Sequence, residues 1–282
     1  MTQTAVGGRP FLKMHGAGND FVVLDARQQG WPLSDAAVRQ IADRHTGVGC
    51  DQVIVVEPAR QPGADAFLTI RNADGSEAAA CGNASRCIAW LLMDERRVDQ
   101  VVLETRAGLL PASRAGERQV CVDMGPARLE WQDIPLAFSL ATLHLPLRLG
   151  PLSDPVAVNM GNPHAVFFVD DALSIDLAVL GPRLEHDPLF PERCNIEVAQ
   201  VIGRDRLRVR VWERGAGITR ACGSGACATL VAAARRGLAS RKGEIVLDGG
   251  TLAIVWRDDN HVTMTGPVAL SFAGTLGDGL AS

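Results

Sequence analysis

The sequence carries one short motif twice, as Ala80-Cys81-Gly82-Asn83-Ala84-Ser85-Arg86-Cys87 and again as Ala221-Cys222-Gly223-Ser224-Gly225-Ala226-Cys227. The leading cysteines, Cys81 and Cys222, lie 141 positions apart, which is half the length of the 282-residue chain. Each motif opens a stretch with the pattern of a helix, and the start of a helix favours a thiolate over a thiol. The sequence therefore predicts two matched, reactive thiols, one in each half of the chain.

The repeat extends well beyond the cysteines, because three further pairs of segments keep the same order at offsets of 141 to 144 positions. These pairs are Gly18–Asp25 with Gly161–Asp170, Cys50–Gln52 with Cys194–Ile196, and Arg71–Ser76 with Trp212–Gly217. The period is too long for the unit of a solenoid, so it indicates two domains of one fold. We expect residues 1–126 with about 266–282 to form the first domain, and residues 127–265 to form the second. By analogy with other duplicated folds, the last strand, about 262–272, is expected to return to the first domain.

The elements expected in each half predict an α+β fold of two pseudo-symmetric domains, each with a mixed, mostly antiparallel sheet wrapped around a central helix. Ser34 is a good N-cap for a helix over 34–44, whereas Pro182 interrupts its weaker counterpart over 172–184. The expected strands are 21–24, 53–57, 66–71 and 101–105 in the first half, and 166–169, 196–202, 207–213 and 244–247 in the second. The cysteine helices are expected at 83–95 and 224–236, with Gly237 ending the latter.

Composition excludes several classes of protein. A hydrophobic content of 47% and a charged content of 21% are typical of a globular chain. The net charge of −4 gives no basic footprint for nucleic acid. Seven cysteines without compact disulfide spacing fit a reducing cytoplasm, and the first 25 residues lack the pattern of a secretory signal. We therefore expect a cytoplasmic protein with no nucleic-acid or membrane partner. The chain has only two lysines, Lys13 and Lys242, so it offers few candidates for a pyridoxal-phosphate Schiff base.

Two facing cysteines suggest a proton-transfer reaction at one carbon. A thiolate can remove a proton while a thiol on the opposite face returns one, and this exchange inverts the stereocentre. The geometry requires a pocket in the cleft between the two domains, with one thiol from each. Backbone N–H groups at the two helix starts, Gly82-Asn83 and Gly223-Ser224, suit the carboxylate of a substrate.

Further motifs occur in a fixed order: His15-Gly16-Ala17-Gly18-Asn19-Asp20-Phe21, Gly47-Val48-Gly49-Cys50-Asp51-Gln52, Asn72-Ala73-Asp74-Gly75-Ser76-Glu77, Ala80-Cys81-Gly82-Asn83, Gly161-Asn162-Pro163-His164, and Glu213-Arg214-Gly215-Ala216-Gly217 before Ala221-Cys222-Gly223. Together they resemble the diaminopimelate epimerase family over nearly the whole chain. The resemblance implies a cofactor-independent, metal-free isomerase that converts LL- to meso-diaminopimelate in lysine and peptidoglycan precursor synthesis, and that forms a homodimer.

The resemblance also implies a role for individual residues. Cys81 and Cys222 would be the catalytic base and acid, and His164 and Glu213 would modulate their protonation. The substrate-binding positions implied are Asn19, Gln52, Asn72, Gly82, Asn83, Asn162, Asn195, Glu213, Arg214, Gly223 and Ser224. Phe272 stands where family members have a tyrosine at the dimer contact, Ile218 where many carry a second glutamate, and Ala84-Ser85 where Gly-Ala is more usual.

Three other hypotheses remain at this stage. The same fold could racemise another amino acid, such as proline, hydroxyproline or histidine, although Arg214 with three asparagines favours a substrate that has a distal carboxylate and amine. The chain could instead be an amino-acid-binding or redox-sensing protein whose two cysteines close to a disulfide. A zinc site from Cys81, Cys87, Cys222 and Cys227 has spacings longer than the usual knuckle.

Overall fold

A computed structural model describes residues 8–277. The chain divides into two compact units, one formed by Met1–Val122 with Pro267–Ser282 and the other by Asp123–Gly266. Both units are α+β, as the sequence predicts. No helix within residues 8–277 is long and apolar enough to cross a membrane.

The secondary structure follows the repeat. Up to Pro126 the elements are β1 (Arg9–Gly16), β2 (Asn19–Asp25), α1 (Asp35–Ala42), β3 (Gln52–Glu57), β4 (Ala66–Asn72), β5 (Glu77–Ala78), α2 (Gly82–Arg96), β6 (Gln100–Thr105), β7 (Gly108–Gly116) and β8 (Gln119–Pro126). Those that follow are β9 (Arg148–Leu149), β10 (Leu152–Ser153), β11 (Val156–Asn159), β12 (Pro163–Phe168), α3 (Leu177–Glu185), β13 (Asn195–Gly203), β14 (Arg206–Glu213), β15 (Gly217–Thr219), α4 (Gly223–Arg235), β16 (Lys242–Leu247), β17 (Gly250–Trp256), β18 (His261–Pro267) and β19 (Ala269–Leu276).

Strand pairing is the same in the two units. In the first, β1 and β2 are antiparallel, β2 and β3 parallel, β3, β4 and β5 antiparallel, β4 and β6 parallel, and β6, β7 and β8 antiparallel. In the second, β11 to β18 repeat this order of antiparallel and parallel pairs without β9 and β10. The duplication seen in the sequence is therefore a duplication of topology.

Each unit buries one helix that begins directly after a leading cysteine. Helix α4 has buried residues on all sides, from Gly225 to Ala233, and it packs against β11, β12, β13, β14, β16 and β17. Helix α2 packs against β1, β6 and β7 and also buries most of its length. A helix that is apolar all round is stable only when it is enclosed, so the sheet of each unit wraps around it.

Local signals explain most helix ends. The Ser34 Oγ accepts a hydrogen bond from the Ala37 N–H at 3.1 Å and caps α1. Gly237 follows α4 with a φ of +68°, a conformation that glycine adopts without steric cost. Helix α3 differs from the expectation, because it begins at Leu177 rather than at residue 172. The Asp176 side chain caps it there, accepting from the Val179 N–H at 3.3 Å.

The end of the chain also differs from the expectation of one strand over 262–272. Two strands occupy this stretch, β18 and β19, and they are separated at Val268, whose N–H donates to the Arg118 carbonyl at 3.1 Å. Strand β19 then pairs antiparallel with β1, so it belongs to the first unit.

Candidate active site

Cys81 begins the first half-site, which we define as Cys81, Asn19, Asn83, Gln52 and Asn72. Cys81 is the N-cap of α2, in an extended conformation (φ −146°, ψ 108°). Its Sγ donates to the Asn19 Oδ1 over 3.7 Å, and the Asn83 Nδ2 donates to the same oxygen at 3.2 Å. The backbone N–H groups of Gly82 and Asn83 lie in the first turn, where an α-helix offers no intrahelical acceptor.

A charged network behind Asn19 fixes its orientation. The Asn19 Nδ2 donates to the Asp51 carboxylate at 2.9 Å, and the Asp20 N–H donates to the same carboxylate at 3.2 Å. Arg44 bonds both Asp20 and Asp51, and the buried Lys13 ammonium bonds Asp20 and the Gly49 carbonyl. Burial opposes ionisation of Asp20, but the bonds from Arg44 and Lys13 prevail and hold its pKa well below the usual range. Asn19 is therefore held by a network that stays charged at neutral pH.

Gln52 and Asn72 lie side by side on β3 and β4. The Gln52 Nε2 donates to the Asn72 Oδ1 at 2.9 Å, and the Asn72 Nδ2 donates to the Ser76 Oγ at 3.0 Å. The turn after Asn72 is braced by Arg71, which donates to the Gly75 carbonyl at 2.6 Å. The buried Gln52 Oε1 has no hydrogen-bond partner among residues 8–277, so it is an acceptor suited to a ligand ammonium group.

Cys222 begins the second half-site, which we define as Cys222, Asn162, His164, Asn195, Glu213, Arg214 and Ser224. It is the N-cap of α4 and only 5% exposed. The Gly225 N–H donates to its Sγ over 3.4 Å, and the Ser224 Oγ lies 3.5 Å from the same sulfur. Both thiols thus occupy the same point of the same topology.

The expectation that the helix start favours a thiolate is wrong for Cys222. Burial raises the pKa of this thiol well above its ordinary value, and the nearby carboxylates of Glu213 and Glu197 raise it further. The contacts from Ser224 and the Gly225 N–H act in the opposite direction but are weaker. Loss of water around the sulfur and two negative neighbours therefore outweigh the partial positive charge of the helix end.

His164 is enclosed completely, with a partner at each ring nitrogen. The Nδ1 lies 2.7 Å from the Glu197 Oε1, and the Nε2 lies 2.9 Å from the Asn162 Oδ1. His164 and Glu197 are both 0% exposed. The parallel pairing of β12 with β13 brings them together, since it places His164 opposite Asn195, two residues before Glu197.

Glu213 ends β14 and faces the same cysteine. Burial raises the pKa of its carboxyl group, although hydrogen bonds from the Thr219 hydroxyl and from Cys222 lower it in part. Thr219 reaches Glu213 because the β14–β15 hairpin folds Gly217–Thr219 back along the strand. Two carboxyl groups, Glu213 and Glu197, therefore adjoin one thiol.

Asn195 and Arg214 are linked through the backbone. The Asn195 Oδ1 accepts from the Arg214 N–H at 2.9 Å, and its Nδ2 donates to the Pro163 carbonyl at 3.1 Å. The structure therefore shows Asn195 fixing two neighbouring loops, and its expected contact with substrate stays a prediction. The Arg214 Nη1 donates to the Glu192 carbonyl at 2.8 Å, so one nitrogen of the guanidinium fixes the side chain.

Two buried carboxylates in this unit were missed by the sequence reasoning. Glu197 contacts His164, and Glu185 accepts from the Trp212 Nε1 at 2.7 Å and from the Gly215 N–H at 3.0 Å, which steadies the loop after Arg214. The signal for Glu197 is a single charged residue within the apolar run Ile196–Ala199. A buried charge of this kind requires a partner. Within residues 8–277 no group of three or more His, Cys, Asp or Glu side chains is arranged to hold a metal ion.

The family model for diaminopimelate epimerase matches residues 11–130 and 156–271, which is most of the chain. The chain belongs to the diaminopimelate epimerase family. It is 63% identical to the diaminopimelate epimerase of Rhodospirillum centenum over 272 residues, which covers 96% of this chain and 94% of that one. It is 60% identical to the diaminopimelate epimerase of Acidiphilium cryptum, with coverages of 95% and 96%.

Diaminopimelate epimerases are isomerases. Solved structures of low sequence identity share the fold of this chain. A hydroxyproline epimerase from Agrobacterium vitis, solved with bound trans-4-hydroxy-L-proline, is similar with a TM-score of 0.68 and 17% identity. The match covers 95% of this chain and 90% of that one. At this identity the likeness shows a shared fold and leaves the substrate to be argued from the site.

The raised pKa of Cys222 gives a testable prediction. In protein labelled with 13C at the cysteine β-carbons, the Cys222 resonance should keep its thiol chemical shift through pH 8.5, where about half of a free cysteine is ionised. Its assignment comes from the spectrum of Cys222→Ser. A Cys222 signal that moves to the thiolate position below pH 8 would contradict the effect of burial and of the two carboxylates.

Proposed function

We propose that the protein interconverts LL- and meso-diaminopimelate by a two-base mechanism, in lysine and peptidoglycan precursor synthesis. The observation that carries the proposal is the repeated position of the two thiols. In a chain of the diaminopimelate epimerase family, each unit opens its buried helix with a cysteine at the same point of the same strand order.

In the proposed reaction, Cys81 and Cys222 act on opposite faces of one α-carbon. A thiolate takes the α-proton, so a C–H bond breaks and an S–H bond forms. The thiol on the other face delivers its proton to the carbanion, so an S–H bond breaks and a new C–H bond forms with inverted configuration. The substrate loses one proton to the first cysteine and gains one from the second, so there is no net uptake or release of protons. The two cysteines exchange protonation states in each turnover.

The α-carboxylate of the substrate is proposed to bind at the two helix starts. The N–H groups of Gly82, Asn83, Gly223 and Ser224 lie in the first turns of α2 and α4, where the helix itself supplies no acceptor. As the α-proton leaves, negative charge moves onto this carboxylate, and fixed donors and helix dipoles stabilise it without reorganising. The proposal thus needs no cofactor to hold the charge of the carbanion.

The distal end of the substrate carries an ammonium and a carboxylate. Arg214 is the proposed partner of the distal carboxylate, because a guanidinium can bind a carboxylate through two parallel hydrogen bonds. Gln52 supports the proposal because its amide oxygen has no partner in the described part of the chain and can accept from an ammonium group. Asn72 and Asn162 are proposed to complete this lining.

The resting protonation state follows from the second half-site. Cys222 is the thiol at neutral pH, because burial and the adjacent Glu213 and Glu197 raise its pKa. We therefore propose that Cys222 donates and Cys81 accepts in the first turnover from the resting enzyme. His164 and Glu213 are proposed to modulate this balance.

The first test uses single cysteine variants in deuterated water. Cys81→Ala and Cys222→Ala should each lower epimerisation of LL-diaminopimelate by at least about a thousandfold, because each removes one of two required proton carriers. Substrate-dependent uptake of deuterium at Cα, followed by mass spectrometry, reports the chemistry directly.

Cys121→Ala is the matched control, since Cys121 lies on β8 and not at a helix start, and it should keep wild-type turnover. Near wild-type activity in either catalytic variant would exclude the two-base mechanism. A reduced wild-type protein that binds diaminopimelate but exchanges no Cα hydrogen would favour a redox or amino-acid sensor.

A racemase of another amino acid, the alternative raised by the sequence, is tested at the proposed partner of the distal carboxylate. Arg214→Gln should raise the KM for diaminopimelate by about ten- to a hundredfold, the effect of losing a charge-assisted hydrogen bond. Arg220→Gln, an exposed neighbour, should leave KM unchanged. Wild-type turnover of proline or trans-4-hydroxyproline at a rate comparable with diaminopimelate would support this alternative instead.

We also propose that the protein is a cytoplasmic homodimer. Strand β19 exposes apolar residues beside β1: Phe272 is 50% exposed, Leu270 is 40% exposed, and the Phe272 ring contacts Phe11 edge-on with centroids 6.0 Å apart. Exposed apolar residues that lie together on a strand are typical of an interface.

Light scattering after size-exclusion chromatography tests this dimer. The wild type should elute at twice the mass of the 30.0 kDa chain, and Phe272→Arg should elute as a monomer because an arginine would be buried without a partner. Phe138→Arg is the control, since Phe138 is 59% exposed in the other unit. A wild-type monomer at micromolar concentration would exclude the proposal.

A further inference from the structure

The stretch that carries Glu213 and Arg214 is bonded on both sides to one carboxylate. Glu185, the last residue of α3, accepts from the Trp212 Nε1 at 2.7 Å through its Oε2 and from the Gly215 N–H at 3.0 Å through its Oε1. The Glu185 side chain is only 4% exposed. An apolar residue in this place would leave both N–H groups without this acceptor, so the contact depends on a side chain with two acceptor oxygens.

The packing of Trp212 on α3 has the same specificity. A Cβ added at Gly181 would lie 2.5 Å from the Trp212 ring, closer than real Cβ contacts allow. Gly181 and Glu185 are four residues apart in one helix, so they lie on the same face of it. The ring of Trp212 therefore packs on the first of these residues while its N–H bonds the second.

Glu185 also contacts the segment that holds the Arg214 side chain. The Arg214 N–H donates to the Asn195 Oδ1 at 2.9 Å, and its Nη1 donates to the Glu192 carbonyl at 2.8 Å. Between these two anchors lies Arg193, whose Nη1 donates to the Glu185 Oε1 at 3.4 Å. One carboxylate thus joins α3 to the turn of Arg214 and to the segment that anchors it.

The first unit has contacts at the corresponding positions, with different chemistry. Helices α1 and α3 occupy the same place in the topology, because each connects two parallel strands. In the first unit Arg71 bonds Asp35 of α1, and the Asp74 carbonyl accepts from the Arg39 Nη1 at 3.1 Å. The positions 141 residues later are Trp212 for Arg71 and Gly215 for Asp74. In each unit the same helix is therefore bonded to the same two positions of the turn that carries expected substrate-binding residues.

We propose that Glu185 is a positioning residue for Arg214: its carboxylate joins α3 to the two segments that hold Arg214, and so sets the place of the guanidinium group. Glu185 acts through Trp212, Gly215 and Arg193. The consequence for diaminopimelate binding rests on the proposed function, whereas the effect on Arg214 itself does not.

The first test is Glu185→Gln. A glutamine has one acceptor oxygen and one amino group, so it cannot accept from Trp212 and Gly215 at once, and one N–H is left facing another donor. The KM for diaminopimelate should rise about five- to tenfold, part of the loss expected for removing the guanidinium. The kcat should stay within about threefold, because Glu213 keeps its bond from Thr219. Hydrogen exchange of the Arg214 N–H, followed by NMR, should become at least about tenfold faster.

A second substitution should rescue the first. Trp212→Phe removes the Nε1 donor, so in Glu185→Gln/Trp212→Phe the glutamine oxygen can accept from the Gly215 N–H while its amino group faces no competing donor. The KM and the Arg214 exchange rate of the double variant should return to within about twofold of those of Trp212→Phe alone. A double variant in which the two effects multiply would contradict the inference.

Matched variants keep the inference falsifiable. Glu244→Gln removes a carboxylate that is 58% exposed in the same unit, and it should leave KM and Arg214 exchange unchanged. If Glu185→Gln does not fold, Gly181→Ala takes its place, because the added Cβ displaces the Trp212 ring while alanine suits a helix. A folded Glu185→Gln or Gly181→Ala protein with a lowered Tm but an unchanged KM would make Glu185 a structural residue only and would overturn the inference.

The two readouts separate this inference from the proposed function. If the wild type does not epimerise diaminopimelate but Arg214 exchange is faster in Glu185→Gln and slow again in the double variant, the proposed function fails and the role of Glu185 stands. If the wild type epimerises diaminopimelate and Glu185→Gln changes neither KM nor Arg214 exchange, the proposed function stands and the role of Glu185 fails.

Discussion

The structure depends on placing a cysteine at the N-cap of a helix whose first turns are buried. Burial of such a helix requires apolar residues on every side, which α4 provides with its alanines, Leu230 and Val231. Enclosure fixes the direction of the helix axis, and the axis fixes the first-turn N–H groups beside the sulfur. Because the sheet of each unit wraps around its helix, a change in the core of either unit would move the cysteine at the helix start and not only lower stability.

Duplication of one domain explains why the two thiols occupy equivalent positions. Later changes in the neighbouring side chains explain why the electrostatic surroundings of the two thiols differ. In the first unit the sulfur faces amides, Asn19 and Asn83, with the charged network of Asp20 and Asp51 one layer behind. In the second unit the carboxyl groups of Glu213 and Glu197 lie close enough to the sulfur to raise its pKa. Burial increases the effect of these neighbouring charges on the thiol, because water does not screen charges close to a buried group. The shared fold thus holds two thiols with unlike electrostatic surroundings.

Much of this could be predicted from the sequence, because the information lies in local patterns and in the repeat. Ser34 and Gly237 end their helices as their chemistry predicts, and the strands begin and end within a few residues of the expected positions. The predictions are wrong where contacts between residues far apart in sequence determine the structure or the pKa of a side chain. Val268 interrupts the last strand through a bond to Arg118, and the protonation of Cys222 depends on Glu197, which the sequence leaves 25 positions away among apolar residues. A rule based on the residues at a helix end cannot predict the pKa of Cys222, because that pKa depends on the charge of a residue on a neighbouring strand.

A two-base reaction needs one proton shared by two thiols. Two thiols with equal pKa values hold a single proton in at most about half of the molecules, and only near that pKa, because the doubly protonated and fully ionised forms compete. Raising the pKa of one thiol alone widens the pH range over which the pair holds one proton, since the upper limit of the range rises while the lower limit stays with the other thiol. Burial of Cys222 beside two carboxyl groups has this effect. The cost is a weaker acid, because a thiol with a raised pKa gives up its proton less readily.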